Sequence, residues 1–377
     1  MKSLQYIFNW TIIFFPLIIL AQTKTNISVQ NSSALDRTAV VVSVPWEKIV
    51  SHNPQIDTAN FVVMNSLTHR QIPFQLEHRG QTKIQNLLIM VSVKAKSNLS
   101  VYVQKGKPEI LGSKTYARYV PERKDDFAWE NDRIAFRTYG KAIEKSKEDA
   151  YGFDVWVKRT HKLIINKRYK QMDYHVDHGD GMDYYHVGFS LGAGNMAPYV
   201  NDTIRYSGNY DKWKILDNGP LRTTFQLIYN SWDAGGTKVK ATKTISLDAG
   251  SQLNRIENLY AFDGDKPLAV VVGIIKRPET GIISLNEQQG IMSYWEPVHG
   301  QDGTTAVGSI LTSPVSNMLV GTSQILAKTT VQNNVPIVYY TGAAWDKAGK
   351  ILNAKQWQEY LNTFYLQIQN PLIISVK

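Results

Sequence analysis

Short apolar runs rich in β-branched residues recur along the first third of the chain, and polar, turn-forming residues separate them. Runs of this length and composition are typical of antiparallel strands in a β-sandwich. The pattern therefore predicts a small all-β sandwich over residues 23–110. The runs that define it lie at 39–42, 61–63, 72–76, 87–91 and 101–103.

A proline-containing, charged stretch at 111–126 is predicted to be a linker to a second, larger domain over residues 127–377. Strand-like runs resume there, at 221–229, 242–247 and 268–275 among others. Helical periodicity is limited to 356–362 and to the charged stretch 141–150, for which a loop is the alternative. The predicted fold class is therefore all-β, with long loops between the strands.

One predicted strand, at 153–158, alternates apolar and other residues. Asp154, Trp156 and Lys158 would share the face opposite three apolar side chains. That face is predicted to be either the floor of a cleft or an ordinary solvated sheet face.

The first 21 residues have the features of a secretory signal: Lys2, an apolar run from Trp10 to Leu20, and Ala21 at a plausible cleavage site. Cleavage would leave 377 − 21 = 356 residues. Since no other segment has transmembrane character, we expect a soluble chain, exported to the periplasm or secreted, with no membrane partner. The chain has no cysteine, which excludes disulfides, thiol nucleophiles and thiolate metal sites.

The formal net charge is +10, and it would be +9 without Lys2. Such an excess favours nucleic acid or an anionic polymer such as a uronate or sulfated glycan as the partner. No nucleic-acid-binding signature is present, and export also disfavours nucleic acid. We therefore expect an anionic oligosaccharide partner, and leave the oligomeric state open.

The stretch from His175 to Gly194 has an unusual composition: three histidines, three aspartates, two tyrosines and five glycines among twenty residues. Buried polar groups without partners cost several kcal/mol, roughly 2–7 each, so this mixture suits a polar pocket better than a core. A polar surface loop is the alternative. His175, Asp177 and His178 are acceptable metal-ligand types, but their spacing is not diagnostic, and neither a metal nor a cofactor is predicted.

The inventory of side chains fits proton abstraction next to a carboxylate. Removing the C5 proton of a uronic acid requires a cation for the carboxylate, a base, and an acid for the departing oxygen. Candidate cations are Arg133, Arg137, Arg159 and Arg222, and candidate proton-transfer groups are His175, Tyr184, Tyr185 and His299. The rival reaction, glycoside hydrolysis, would use two of Asp177, Asp180, Asp183 and Glu296, and the residues alone do not choose between the two.

Several motifs together resemble a family. They are Trp129-Glu130-Asn131-Asp132-Arg133 with Phe136-Arg137, then Tyr174-His175, Gly179 to Asp183, Tyr185, Val187-Gly188 and Leu191 to Gly194, then Asn218-Gly219-Pro220 with Arg222. The chain resembles a family of secreted bacterial proteins, formerly of unknown function, that includes the oligosaccharide dehydratase of ulvan degradation. The resemblance implies a large galactose-mutarotase-like β-sandwich and the elimination of water from a terminal uronic acid, giving a 4,5-unsaturated sugar.

The expected reaction has three parts. Arg222 or Arg159 neutralises the carboxylate, and His175 or Tyr185 takes the C5 proton. His299 or Tyr184 assists the departure of the 4-hydroxyl. Substrate contacts are expected from Trp129, Arg137, Lys158, Arg159, Asp177, His178, Asp183, Tyr184 and Trp295. Two alternatives stay open: a polysaccharide lyase, in which a sugar leaves instead of water, and a non-catalytic carbohydrate-binding protein.

Overall fold

The computed structural model describes residues 24–377, so the predicted signal peptide lies outside the described residues. The chain over this range contains 25 strands and three α-helices. The helices are α1 (Trp46–His52), α2 (Ile165–Gln171) and α3 (Ala354–Gln369). The strands are β1 (Thr25–Asn31), β2 (Arg37–Pro45), β3 (Phe61–Asn65), β4 (Phe74–Glu77), β5 (Asn86–Val93), β6 (Ser97–Lys105), β7 (Thr115–Val120), β8 (Asp126–Asn131), β9 (Ala135–Thr138), β10 (Asp154–Lys158), β11 (Gly181–Asp183), β12 (Ala193–Val200), β13 (Thr203–Ile204), β14 (Lys212–Asn218), β15 (Arg222–Asp233), β16 (Lys238–Asp248), β17 (Leu253–Phe262), β18 (Leu268–Ile275), β19 (Ile282–Asn286), β20 (Ile291–Trp295), β21 (Thr305–Leu311), β22 (Asn317–Val320), β23 (Gln324–Val331), β24 (Ile337–Trp345) and β25 (Ile373–Val376). Over the same range, no helix has both the length and the apolar character needed to cross a membrane.

The first six strands form a small sandwich together with β25. One sheet has the order β25-β1-β6-β3 and the other the order β2-β5-β4, and all pairs are antiparallel. Alternate apolar residues of both sheets form one core, in which Val29, Leu87 and Val103 are fully buried. Strand β25, the last strand of the chain, pairs with β1.

The stretch predicted to be a linker differs in the structure. Residues Thr115–Val120 form β7, which pairs with β8 along its whole length, and a single turn of 3-10 helix follows at Pro121–Arg123. Thr115, Ala117 and Val120 of β7 are buried, and β7 is the edge strand of the next sheet. The proline and the charged cluster mark the turn after β7, and not a connection between domains.

Three further sheets build the larger part of the molecule. Their orders are β11-β10-β9-β8-β7, β13-β12-β18-β23-β22 and β14-β15-β16-β17-β24-β21-β20-β19. Apolar residues from all three enter one core, which contains Trp129, Phe225, Val272 and Tyr339. The all-β sandwich prediction is confirmed.

Of the two predicted helices, one is confirmed. Helix α3 extends the predicted 356–362 segment in both directions; the Asn353 side chain accepts a bond from the Gln356 N–H at 3.0 Å, and Trp357 and Leu361 are buried one turn apart. The stretch 141–150 has only a single 3-10 turn. Helices α1 and α2, of seven residues each, are too short for their periodicity to predict.

Strand β10 is buried on both faces, contrary to the predicted cleft or solvated face. Residues of α2 and the following loop cover the second face, where Trp156 packs against Ile165, Tyr169 and Tyr174. The polar residues on this face are therefore neutralised by internal partners and not by solvent.

Candidate functional site

A cavity of about 590 Å³ opens beside the five-stranded sheet. Its wall combines Arg123, residues from the 137–150 segment, and residues from the 175–188 stretch, including His175, Tyr184 and Tyr185. This volume lies within the range of small-molecule sites, roughly 300–1,000 Å³. The three segments come together because β9, β10 and β11 are neighbours in the sheet.

A buried cluster of charges centred on Arg137 forms part of this wall, to which both Arg137 and Asp183 belong. Its guanidinium donates to Asp154 and Asp183 at 2.9 Å each and lies 3.6 Å from Asp126. Burial, reinforced by Asp154, raises the pKa of Asp183 well above its usual range, and burial raises the pKa of Asp126 to about 6. The Arg123 guanidinium also lies 3.9 Å from Asp126, so two cations face three buried carboxyl groups. Because they cannot keep every carboxyl group ionised at low cost, Asp183 retains its proton at neutral pH.

Helix α2 fixes the loop that carries His175. Arg168 on this helix is fully buried, pairs with Asp180, and donates to the carbonyl of Val176 at 3.2 Å. Gly181 then passes so close to β10 that a Cβ atom would lie 1.9 Å from the Val157 carbonyl oxygen, and its φ is +116°. Only glycine fits there, which explains one of the five glycines of the stretch.

His175 lies at the rim of the cavity with 66% of its side chain exposed. Its Nδ1 is 2.8 Å from the main-chain oxygen of Asp183, which can only accept a hydrogen bond. We therefore assign the proton of the neutral ring to Nδ1, which leaves the lone pair of Nε2 available as a base. Asp183 thus orients this histidine through its main-chain carbonyl, while its carboxyl group accepts from Arg137.

Tyr185 lines the cavity with a phenol that is buried and has no hydrogen-bond partner in the described part of the chain. Burial raises the pKa of this phenol well above its usual value, so it is a proton donor at neutral pH. The Arg277 guanidinium lies 4.7 Å from the ring centroid and donates to Glu296 at 2.7 Å. Burial also raises the pKa of Glu296 to about 7.

Tyr184 and His299 form a second pair beside the first. Their rings stack with centroids 5.2 Å apart, and His299 Nδ1 is 2.9 Å from Asp302. The Tyr184 hydroxyl accepts a bond from Thr305 at 2.7 Å, and burial raises the pKa of the phenol. Four predicted proton-transfer residues, His175, Tyr184, Tyr185 and His299, therefore lie in one neighbourhood.

Three other predicted site residues lie elsewhere. Arg222 pairs with Glu77 at 3.1 Å and with Asp248, so it joins β4 of the small sandwich to the large sheet and does not line the cavity. Lys158 is fully buried against Glu130, at 2.6 Å, and burial lowers its pKa. Trp129 is a core residue.

Trp129 has no exposed surface, so it cannot stack on a sugar; its indole N–H donates to Asn254 at 2.7 Å. Trp295, at the end of β20, packs with the residues beneath α3. Neither tryptophan is among the residues that line the cavity.

The remaining predicted contacts, Arg159, Asp177 and His178, are occupied with local partners. Arg159 pairs with Asp177 at 2.7 Å, and His178 pairs with Asp173 at 2.8 Å. Asp177 also accepts the backbone N–H groups of two glycines of the loop. Arg133 contacts His161 at 3.4 Å. Within residues 24–377, no three His, Asp or Glu side chains are grouped so as to hold a metal ion.

Sequence reasoning missed two cations of the wall, Arg123 and Lys147, and the half-buried Arg277. Arg123 donates to Glu148 at 3.1 Å, and its Nη1 is buried without a hydrogen-bond acceptor in the described residues. One signal was present for the buried cluster: Asp126, Arg137 and Asp154 each interrupt or border an apolar strand. No comparable signal marks Arg277.

Two solved structures share the fold. One is described as a protein in the glycosyl hydrolase family 38 from Enterococcus faecalis, with a TM-score of 0.56, 11% identity, and coverage of 95% of this chain and 48% of that one. The other is an alpha-mannosidase from Enterococcus faecalis V583, with a TM-score of 0.52, 10% identity, and coverage of 96% and 46%. The chain thus spans about half the length of these proteins, and at such identities the likeness concerns the fold alone.

Sequence comparison gives a nearer relationship. The chain is 35% identical over 280 residues to "Uncharacterized protein P7" of Formosa agariphila, and the match covers 70% of each protein. The family model described as "Domain of unknown function (DUF4861)" matches residues 29–374, which include every residue of the cavity wall and all of both sandwiches except the outer ends of β1 and β25. The chain therefore belongs to the DUF4861 family.

Proposed function

We propose that the protein is an exported carbon-oxygen lyase, a dehydratase that removes water from the non-reducing-end uronic acid of an oligosaccharide. The observation that carries the proposal is the convergence of a base, an acid and cations on one cavity. His175 offers an unprotonated Nε2, Tyr185 a protonated phenol, and Arg123 and Lys147 positive charge. These are the groups that elimination next to a carboxylate requires.

In the proposed reaction, Arg123 and Lys147 neutralise the uronate carboxylate, which makes the C5 proton more acidic. The Arg123 guanidinium lies on the cavity wall, and its Nη1, 3.9 Å from Asp126, makes no hydrogen bond among the described residues. His175 Nε2 takes the C5 proton, the electrons of the C5–H bond form the C4–C5 double bond, and the C4–O bond breaks. Proton return from His175 to Tyr185 then completes the cycle.

Tyr185 supplies the proton that turns the departing 4-hydroxyl into water. The phenolate left behind lies under the Arg277 guanidinium, whose positive charge stabilises it. Tyr184, with its stacked His299, is then available to bind a sugar hydroxyl. The net result is an unsaturated uronate and one molecule of water, without a change of oxidation state in the protein.

The net charge of +10 and the resemblance to the ulvan oligosaccharide dehydratase support an anionic substrate and make ulvan oligosaccharides with saturated ends the first to test. The product should be lighter by one water at unchanged chain length, and should absorb in the ultraviolet through its new double bond. Two shorter fragments would instead indicate a polysaccharide lyase, and binding without turnover a carbohydrate-binding protein.

The variant that tests the mechanism is His175→Ala. We expect kcat to fall by about 10²–10⁴-fold, the usual contribution of a general base. His178→Ala is the matched control, because this histidine belongs to the same loop but pairs with Asp173 away from the cavity. Equal activity of the two variants would exclude His175 as the base.

A further inference from the structure

Phe189 is an exposed aromatic residue directly next to the cavity. It follows Gly188, the last residue of the cavity wall, and 55% of its surface is exposed. Single exposed apolar residues are common on protein surfaces, so exposure alone carries no inference. The surroundings of this ring, however, distinguish it from an incidental surface residue.

Two tyrosines hold Phe189 in place from behind. Its ring centroid is 4.8 Å from that of Tyr206 and 6.2 Å from that of Tyr151, and the two tyrosines contact each other edge to face at 5.0 Å. Gln324 donates to the Tyr206 hydroxyl at 3.2 Å and accepts from the Leu191 N–H at 2.8 Å. One side chain thus fixes both the supporting ring and the backbone two residues after Phe189.

A rigid aromatic ring that is supported on one side and open on the other is a suitable surface for a sugar. A pyranose has an apolar face of C–H groups, and burying it against a fixed ring costs little side-chain entropy. Phe189 and its neighbour Tyr151 directly follow the wall residues Gly188 and Ala150, so a ligand that extends beyond the cavity can reach the ring. None of the aromatic residues expected to stack on sugars from the sequence, Trp129 or Trp295, lines this cavity.

We propose that Phe189, backed by Tyr206, is the binding platform for the second sugar of an oligosaccharide whose terminal uronate occupies the cavity. This inference rests on the proposed function for the identity of the terminal sugar. It adds a preference for length: the protein selects oligosaccharides over a single uronate glycoside. Phe189 is a specificity residue that contacts substrate away from the reacting atoms.

The test compares Phe189→Ala and Phe189→Trp with Trp213→Ala. Trp213 is the matched control, because it is 40% exposed and stacks on Tyr119 at 5.2 Å, yet does not line the cavity. Each protein is assayed with a uronate-ended trisaccharide and with a methyl glycoside of the single uronate. Circular dichroism confirms that each variant is folded.

For Phe189→Ala we expect KM for the trisaccharide to rise about tenfold, the change that ~1.4 kcal/mol produces, with kcat within twofold and the methyl glycoside unaffected. Phe189→Trp should restore the wild-type KM, and Trp213→Ala should not change it. The proposed role of Phe189 is overturned if its replacement by Ala leaves KM for the trisaccharide unchanged, or raises KM equally for both substrates.

Binding measurements separate this inference from the proposed function. Calorimetry with the trisaccharide compares the wild-type protein with Phe189→Ala. If the protein binds but never eliminates water, and Phe189→Ala weakens binding, the platform stands and the dehydratase proposal fails. If turnover occurs and Phe189→Ala matches the wild type in both assays, the platform fails and the dehydratase stands. Absence of any binding or turnover overturns both.

Discussion

Lys243 is a buried cation inside the large sandwich, and its protonation gives a testable pH dependence of stability. The residue lies on β16, its Nζ donates to Asn195 and to the Met196 carbonyl oxygen at 3.1 Å, and it lies 4.7 Å from the centroid of the Tyr229 ring. None of these partners is an anion. Burial therefore lowers the pKa of Lys243 from its usual 10.5 to about 7.

The magnitude follows from the difference between the folded and unfolded pKa values of Lys243, 10.5 − 7 = 3.5 pH units. Between these two values the unfolded chain binds a proton that the folded chain has released, so the free energy of unfolding rises with pH. At about 1.4 kcal/mol per unit, the rise from pH 7 to 10.5 amounts to roughly 4–5 kcal/mol. Attraction to the aromatic rings, about 2 kcal/mol, favours the charged form and offsets part of it.

The perturbation is Lys243→Met, which keeps the length of the side chain and removes the titrating group. Urea unfolding, followed by tryptophan fluorescence at pH 7, 8, 9 and 10, measures the free energy of unfolding of each protein. Relative to this variant, the wild type should gain at least ~2 kcal/mol between pH 7 and 10. Lys240→Met, at an exposed lysine of the same strand, is the control, and its free energy of unfolding should change with pH as that of the wild type does. The reasoning is refuted if the free energies of unfolding of the wild type and Lys243→Met change equally with pH.

Two further predictions concern the architecture of the site. Arg137→Leu removes the only guanidinium hydrogen-bonded to both Asp154 and Asp183 among the described residues, and should cost ~3–5 kcal/mol at pH 7. The loss should shrink at pH 4, because Asp126, whose pKa burial raises to about 6, is protonated there and needs no counter-charge from Arg137. An equal loss in urea unfolding at both pH values would contradict this account. Gly181→Ala should lower the free energy of unfolding by ~2 kcal/mol or more, because its Cβ would overlap a backbone oxygen, whereas Gly179→Ala meets open space and should cost about 1 kcal/mol. Thermal unfolding of the two variants measures the difference, and equal midpoints would contradict it.

The strand pattern was predictable from sequence because alternation is a local property that survives in antiparallel sheets with one buried face. Helix α3 was predictable for the same reason, since Trp357 and Leu361 mark its buried side one turn apart. Strand β10 was misjudged because its polar residues find partners on strands distant in sequence. Lys158 forms an ion pair with Glu130, and no local sequence pattern predicts that pair.

The candidate site was predictable in part. The composition of the 175–194 stretch led to His175 and Tyr185, because ionisable residues mixed with glycine are unsuited to a core. The cation could not be chosen in the same way, since several arginines are chemically equivalent in a sequence. Arg222 proved to join the two sandwiches, whereas Arg123 lies on the cavity wall.

The pairing of β25 with β1 has a consequence for how the chain folds. The strand at one margin of the small sandwich comes from residues Ile373–Val376, which a ribosome begins to add 373 − 105 = 268 residues after the end of β6. During synthesis, β1 therefore has an unpaired edge until the large sandwich has been made. The last few residues complete this sheet, so a fragment cut after residue 110 would present β1 as an open edge prone to pairing with other chains.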